Sequence, residues 1–374
     1  MKICYIAGGT SIHTQRWINY FARKGHEVHL ISYLFPANYD GFDTRVQIHP
    51  LVVLLPRVWK VSRYFSGSLW TFQVCRMVNR IKPDILHSHY VTTYGYLGAI
   101  SGFHPLVVSA WGSDVLIAPK QSRIHRFLTT YSLRKADVIT CGGENTKEEM
   151  IKLGTNAEKI RLIYHGVDTQ KFNPKRREQE LRDELGLFES PIIISVRMLE
   201  PLYDVESLVK AMPLVIEQAP KTKLIIAGEG EQRDYLENLA RGLGISSTVR
   251  FVGQIAHDEL PKYLASADVY VSTSLSDNGI AVSTLEAMAS ELPVVITDCA
   301  DIKKWITDGE DGFIVPVKTP EAIAAKVIYL LENEDTRVKF GRLAREVVEN
   351  RADYEEEMLK VEKLYQQLID GGEK

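Results

Sequence analysis

The clearest fold signal in the chain is the segment "SLSDNGIAVSTLEAMASELPVV", residues 274–295. An apolar strand at 269–272 leads into a polar turn ending at Gly279, then into a helix-forming run carrying Glu286 and a second strand from Pro293. The first amides of such a helix lack partners and lie at the positive end of its dipole, so they attract anions. The layout predicts a phosphate group at the turn and a hydroxyl-rich group near Glu286, which a sugar nucleotide would supply.

Short apolar strands alternate with helix-period segments on both sides of this segment. The strands read "KICYIA", "EVHLIS", "VQIHPLVV", "DILHS", "LVVSA", "DVITC" and "IRLIY" in the first half, and "IIISV", "KLIIAG", "VRFVG", "DVYVS" and "PVVIT" in the second. Continuous Val, Ile and Leu runs indicate strands that are buried on both faces of a parallel sheet. Alternation on this scale is typical of a doubly wound α/β fold.

The two halves of the chain resemble each other, and 374 residues are enough for two domains with separate cores. We predict an N-terminal Rossmann-like domain over 1–172 and a C-terminal one over 173–352. An amphipathic helix at 353–370 is expected to join the first domain. Pockets in open α/β sheets lie beyond the carboxyl ends of the strands and favour domain interfaces, so we expect the active site in an interdomain cleft.

The composition, 45% hydrophobic and 25% charged, is that of a soluble globular protein. The four cysteines lie far apart, which argues for a reducing compartment and against a disulfide framework or a zinc site. They are Cys4, Cys75, Cys141 and Cys299. A strand begins almost at Met1, and no apolar run approaches the roughly 20 residues that a membrane-spanning helix needs. We therefore expect a cytoplasmic protein without a signal peptide.

Charge is distributed unevenly along the chain. Residues 1–174 hold 21 Lys and Arg against 11 Asp and Glu, whereas the remainder holds 24 against 37. Basic residues are mixed with aromatic ones in two segments, 56–70 and 120–135. A solvated basic face and a surface that meets anionic lipid at the inner face of the membrane explain this equally well. Nucleic acid is a weaker alternative, because no recognisable binding motif accompanies the charge.

Six segments in order resemble the retaining glycosyltransferases of family 4, which have the GT-B fold. The resemblance covers essentially the whole chain and is strongest over residues 160–317. The segments are "IRLIYHGVDTQKFNP" (160–174), "IIISVRML" (192–199), "KLIIAGEGEQRDYLENLA" (223–240), "VRFVGQI" (249–255), "GIAVSTLEAMASELPVV" (279–295) and "DGEDGFIVP" (308–316). The resemblance implies transfer of a sugar from a nucleotide diphosphate-sugar, such as a UDP-sugar, to a hydroxyl acceptor with retention of anomeric configuration.

By this resemblance, Glu286 matches the second carboxylate of the family's E-x7-E motif, which accepts hydrogen bonds from the donor ribose. A carboxylate suits that task because it can accept from two adjacent hydroxyls. The first Glu of the motif falls on Asn278, which can still contact the donor sugar, and Asp277 can substitute if the loop shifts by one residue. We count Arg197, Asn278 and Glu286 as the catalytic set.

Arg197 follows a strand and matches the arginine that clamps the donor diphosphate, for which a planar guanidinium is well suited. The family usually adds a lysine five residues on, where this chain has Leu202. The helix start formed by Gly279, Ile280 and Ala281 is expected to supply the remaining stabilisation, with a contribution from Tyr203.

Further donor contacts are implied at loops in both domains. Gly8 and Gly9 match the family's glycine-rich loop along the donor phosphate and sugar, although a glycine pair alone is a weak signal. Gln254 and Ile255 are expected to line the base pocket through their backbone. The glycines of "GEGEQ" (228–232) are expected to be mainly structural.

The acceptor is expected to bind the first domain, where we predict contacts from His13 and Arg16. His87 and His89 lie on one face of a strand; a pocket-wall or core role is favoured over metal binding because no third ligand is apparent, and His89 is taken as an acceptor contact. Trp111, with Asp114 close by, replaces a histidine that is frequent in the family. Its ring can stack on a sugar or simply pack in the core.

The sequence has no D-x-D triplet, so we predict metal independence and no cofactor besides the nucleotide-sugar co-substrate. The leading hypothesis is a retaining hexosyltransferase in glycolipid, polysaccharide or glycan assembly, acting on a lipid-linked or anionic acceptor. The departures at Trp111, Leu202 and Asn278 motivate an alternative, a non-catalytic GT-B protein that binds a nucleotide-sugar or supports a partner enzyme. A UDP-sugar epimerase and an NAD-dependent dehydrogenase are weaker alternatives.

Overall fold

The structure, a computed structural model, describes residues 1–33, 41–51, 59–177, 179–184, 187 and 190–371, without the side chains of 59–68, 179–180 and 184. The chain divides into two compact units. One is Met1–Tyr164 together with Glu357–Lys374, and the other is His165–Glu356. Tyr164 lies a few residues before the boundary at 172 that the sequence suggested.

A seven-stranded parallel sheet forms the centre of the first unit, in the order β3-β2-β1-β4-β5-β6-β7. The strands are β1 Lys2–Ile6, β2 Glu27–Ser32, β3 Gln47–Pro50, β4 Ile85–His89, β5 Leu106–Ala110, β6 Val138–Cys141 and β7 Ile160–Leu162. Every residue of β4, β5 and β6 is buried, as expected for apolar strands covered by helices on both faces.

The helices of the first unit follow its strands. They are α1 Ile12–Arg23, α2 Trp59–Ile81, α3 Tyr96–Ile100, α4 Ser113–Leu116, α5 Ala118–Gln121, α6 Arg123–Lys135 and α7 Glu144–Lys152. Serine side chains cap two of them: Ser11 accepts from the amide of Thr14, and Ser122 from that of His125.

The second unit has a six-stranded parallel sheet in the order β10-β9-β8-β11-β12-β13. Its strands are β8 Ile192–Val196, β9 Lys223–Ala227, β10 Val249–Gly253, β11 Val269–Ser272, β12 Val294–Thr297 and β13 Phe313–Val315. Its helices are α8 Gln179–Glu184, α9 Val205–Gln218, α10 Arg233–Gly242, α11 Leu260–Ser266, α12 Val282–Ala289, α13 Pro320–Glu332 and α14 Glu334–Arg351. Two parallel-sheet α/β units therefore confirm the predicted fold class.

The last helix, α15 Tyr354–Gly371, begins in the second unit and ends in the first. Its predicted apolar side is buried at Met358, Val361, Leu364 and Tyr365. Within the first unit, the Tyr365 ring stacks on Phe21 with ring centroids 5.1 Å apart. The Tyr365 hydroxyl lies 3.2 Å from that of Tyr5 on β1, so Tyr365 connects this end of the chain to the first sheet.

Candidate active site

The turn before α12 has the conformation that its sequence requires. Gly279 has a φ of +77°, in the left-handed region that favours glycine. Ala281 is the N-cap of α12, with an extended backbone at φ −68° and ψ 141°. An alanine has no side-chain oxygen with which to accept from the first amides of the helix, so an anion can take that place.

Arg197, directly after β8, lies beside this turn. Its Nη2 donates to the Asp277 Oδ1 at 2.7 Å, and its guanidinium carbon is 4.3 Å from the centroid of the Tyr203 ring. Burial is the largest single influence and on its own would lower the pKa of Arg197, but Asp277, Tyr270 and Tyr203 together outweigh it, so that pKa is raised. The structure thus brings together the predicted phosphate clamp, the carboxylate neighbouring Asn278 and the predicted tyrosine.

Backbone hydrogen bonds connect the loops after neighbouring strands of the second unit. The Arg197 amide donates to the Ala227 carbonyl at 3.1 Å, and the Gly228 amide to the Gly253 carbonyl at 2.8 Å. Loops at the carboxyl ends of β8, β9 and β10 are therefore held at one edge of the sheet. Gln254, which is exposed, and Ile255, which is half-buried, directly follow Gly253 in the chain.

The two glycines of "GEGEQ" are required by close packing. A Cβ on Gly228 would lie 2.0 Å from the carbonyl oxygen of Arg197, and its φ is +146°. A Cβ on Gly230 would lie 2.3 Å from the carbonyl oxygen of Leu199. Both glycines let the loop after β9 pass the backbone that follows β8, which confirms a structural role.

We expect Gly228→Ala to lower the free energy of unfolding by about 3 kcal/mol, because the new methyl group meets backbone that cannot give way. Gly242→Ala is the matched control, since a Cβ there has no heavy atom within 4 Å at the end of α10. The control should be neutral or slightly stabilising, by up to about 1 kcal/mol. Urea denaturation followed by circular dichroism measures both changes; equal losses in the two variants would contradict the packing explanation.

Glu286 lies on α12 with its side chain only 5% exposed. Its Oε1 is 3.2 Å from Nε2 of His257, and the Nδ1 of that histidine is 2.9 Å from Nζ of Lys171. Lys171 also donates to the exposed Asp258 at 2.6 Å. The edge of the His257 ring meets the ring of Phe172, with centroids 5.4 Å apart. Asp258, Lys171 and His257 therefore form a chain of contacts that leads to the Glu286 carboxylate, which was predicted to bind the donor ribose.

Sequence reasoning missed His257 and Lys171. Lys171 lies within the segment 160–174 and His257 two positions after the segment 249–255, but nothing in the spacing of 171, 257 and 286 brings these residues together. The sequence alone carries no signal that would have linked these residues to Glu286.

The glycine-rich loop of the first unit follows β1. The Gly9 amide donates to the Ser32 Oγ at 3.2 Å, and a Cβ on Gly8 would lie 3.2 Å from the Tyr94 hydroxyl oxygen. The loop therefore packs closely on neighbouring side chains.

Three of the predicted acceptor residues form one aromatic cluster. The Trp111 ring centroid is 5.9 Å from that of His13 and 5.3 Å from that of His89. His89 is fully buried and its Nδ1 is 3.3 Å from the Thr14 hydroxyl, whereas His13, Trp111 and Arg16 are partly exposed. A core position accounts for His89, and contact of the others with an acceptor stays a prediction.

Asp114 is fully buried and binds backbone. Its carboxylate accepts from the amides of Val91 at 2.6 Å and Trp111 at 3.0 Å, while burial raises its pKa to about 6. These bonds hold the loop after β5 in place, so Asp114 supports Trp111 rather than presenting a free carboxylate.

His87 lies in the core, as favoured by the sequence. Its Nε2 is 2.7 Å from the Ser109 Oγ, its Nδ1 bonds the Tyr365 hydroxyl, and burial lowers its pKa to about 3.

Across the described part of the chain, no group of three or more His, Cys, Asp or Glu side chains is placed to hold a metal ion.

Of the two basic and aromatic segments, 56–70 lies largely outside the described residues: its first three residues are not described, and neither are the side chains of 59–68. The other, at 120–135, contains α6, where Ile124 and Phe127 are 55% and 59% exposed. Where the structure describes helices, none is both long and apolar enough to cross a membrane.

Two family models match the chain, one on each unit. "Glycosyl transferase 4-like" matches residues 2–142, and "Glycosyl transferases group 1" matches 177–347. The putative glycosyltransferase EpsD of Bacillus subtilis is 30% identical over 290 residues, which cover 73% of this chain and 74% of EpsD. The N-acetyl-alpha-D-glucosaminyl L-malate synthase of Bacillus anthracis is 24% identical over 373 residues, 98% of this chain and 96% of that protein.

Among solved structures, HepE of Anabaena in complex with UDP-glucose has a TM-score of 0.83 at 18% identity, covering 98% of this chain and all of HepE. The two parallel-sheet α/β units, together with the structural similarity to HepE, define the GT-B fold. With the family matches and the EpsD identity, the chain belongs to the GT-B glycosyltransferases.

Proposed function

We propose that the protein is a retaining hexosyltransferase that uses a UDP-sugar and needs no metal ion. The observation that carries the proposal is the cluster of Arg197, Tyr203 and the uncapped start of α12, with buried Glu286 on the same helix. Positive groups at the turn suit a diphosphate, and a carboxylate further along the helix suits a ribose. The UDP-glucose bound by HepE supports the choice of nucleotide.

Catalysis would then be positioning combined with stabilisation of the departing diphosphate. The bond between the sugar C1 and the diphosphate oxygen breaks, and Arg197 with the α12 amides balances the charge that develops there. The acceptor hydroxyl attacks C1 from the same face and its proton passes to the leaving phosphate. That front-face route retains the anomeric configuration without a protein nucleophile. Asn278 would contact the donor sugar through its amide.

A donor screen tests this proposal. UDP-, GDP-, dTDP- and ADP-sugars are added to the protein, and UDP-sugars should give the largest rise in melting temperature by mass action. NMR of the released or transferred sugar then reports turnover and anomeric configuration. Tight binding with no turnover on any acceptor or water would favour the alternative of a non-catalytic nucleotide-sugar-binding protein.

We further propose that α6 meets an anionic membrane at the inner face, bringing a cytoplasmic enzyme to a lipid-linked acceptor. Exposed Ile124 and Phe127 stand among the cations Arg123 and Arg126 on that helix. Apolar side chains flanked by cations are the pattern of a helix lying in the membrane interface.

The double variant Arg123→Gln/Arg126→Gln should lower partitioning onto phosphatidylserine vesicles by about tenfold or more, since each cation near the surface contributes about 1 kcal/mol. Lys339→Gln/Arg342→Gln, which removes two exposed cations from α14, is the control and should bind as wild type does. Vesicle sedimentation measures both. Equal binding to neutral and anionic vesicles would contradict the proposal.

A further inference from the structure

We infer that His257 is a positioning residue for the donor site: held by Lys171, it fixes the Glu286 carboxylate in the orientation that receives the donor ribose. Because the role of Glu286 toward the donor belongs to the proposed function, the experiment below separates the two. The contacts involved all lie within the second unit.

The first step is the tautomer of His257. An ammonium group has only N–H donors, so the 2.9 Å contact between Lys171 Nζ and His257 Nδ1 requires Nδ1 to be an acceptor. The neutral ring then carries its proton on Nε2, which faces the Glu286 Oε1 at 3.2 Å. Lys171 thus selects the tautomer that donates to the carboxylate; the other tautomer would place a lone pair against it.

The second step is the position of the ring. His257 is held by Lys171 on one nitrogen and by Glu286 on the other, and the fully buried Phe172 packs at its side. The second bond of Lys171, to Asp258, fixes the ammonium in turn. A ring held in this way has little freedom to rotate, so the direction of its Nε2–H is set before a ligand arrives.

The third step is the effect of the fixed His257 ring on the Glu286 side chain. A glutamate side chain has three rotatable bonds, and ordering it when a ligand binds costs entropy. A carboxylate has about four acceptor positions, so one bond from His257 leaves acceptor sites for two hydroxyls. Glu286 is therefore ordered in advance, and its remaining sites are the ones that a ribose would use. If the His257–Glu286 hydrogen bond only joined α12 to the loop before α11, its loss would affect stability and would not weaken recognition of the ribose selectively.

The test measures affinity by calorimetry for UDP and for 2′,3′-dideoxy-UDP, which lacks both ribose hydroxyls. If the donor screen selects another base, the same pair of nucleotides carrying that base is used. We expect wild-type protein to bind UDP more tightly than the dideoxy form by about tenfold or more. His257→Leu should weaken UDP binding by about five- to tenfold and leave the affinity for the dideoxy form unchanged.

Two variants test the hydrogen bonds themselves. His257→Gln keeps an N–H donor toward Glu286 and an acceptor toward Lys171, so it should recover most of the affinity for UDP. Lys171→Met removes the group that selects the tautomer of His257, so it should weaken UDP binding by about two- to threefold. His26→Leu is the matched control, since His26 Nε2 makes a comparable 3.3 Å contact with Glu362 in the first unit. It should leave both affinities unchanged.

The outcomes separate the two claims. If wild type distinguishes UDP from the dideoxy form but His257→Leu distinguishes them equally well, the positioning role is overturned while the role of Glu286 stands. If wild type binds both nucleotides equally, Glu286 does not bind the ribose and both claims fail. Thermal melts of each variant show whether a loss of affinity reflects unfolding, and the glutamine variant keeps the test valid where leucine is not tolerated.

Discussion

Replacing Arg197 with glutamine is expected to reduce kcat/KM for the sugar donor by about a hundredfold, with a substantial part of the loss in kcat. The guanidinium is 8% exposed, so it acts on the diphosphate with little screening by solvent. The charge it stabilises grows as the sugar leaves, and an interaction that strengthens in the transition state contributes to kcat. Because Leu202 stands where the family has a lysine, no second side-chain cation at that position can compensate.

A control separates catalysis from folding in this experiment. Arg197→Gln removes the guanidinium partner of Asp277, which is itself largely buried, and this should reduce stability. Arg197→Gln/Asp277→Asn removes both charges and should unfold closer to wild type while remaining as inactive as the single variant. Arg337→Gln, which removes an arginine paired with Glu334 on α14, should have wild-type kcat/KM. Full activity in the stable double variant would contradict the role of Arg197.

The second large effect is expected at Glu286. Glu286→Gln and Glu286→Ala should raise KM for the donor by about tenfold or more, with a smaller change in kcat. The ribose lies away from the bond that breaks, so its contacts should stabilise substrate and transition state similarly. Initial rates over a range of donor concentrations measure this split.

The control for Glu286 is Glu362→Gln on α15, a carboxylate that accepts from His26 at 3.3 Å. That variant should have wild-type kinetics. If Glu286→Ala lowered kcat alone and left KM unchanged, a binding role toward ribose would be contradicted.

Those parts of the fold that depend on local pattern could be predicted from sequence. Apolar runs predicted all seven strands of the first sheet and five of the six strands of the second, but missed the three-residue strand β13 Phe313–Val315. The helix α12 and its glycine turn follow directly from the segment at 274–295. Arg197 and Glu286 were identifiable because the segments that contain them resemble those of family 4 glycosyltransferases. The turn and Arg197 meet because the carboxyl ends of neighbouring parallel strands, β8 and β11, lie at one edge of the sheet.

What could not be predicted depends on packing between distant segments. Lys171 and His257 are 86 positions apart, and they meet because the chain before α8 lies beside the loop that precedes α11. Asp114 looked available for an acceptor, but two backbone amides bind it in the core. His89 shows the same difficulty, since a histidine at a strand end can point to a pocket or into the core.

A crystal structure of the protein with UDP tests the central claim most directly. We expect the β-phosphate oxygens at about 3 Å from the Arg197 guanidinium and the first amides of α12, with both ribose hydroxyls bonded to Glu286. A diphosphate bound elsewhere, with Arg197 still paired to Asp277 and Glu286 contacting only His257, would contradict it.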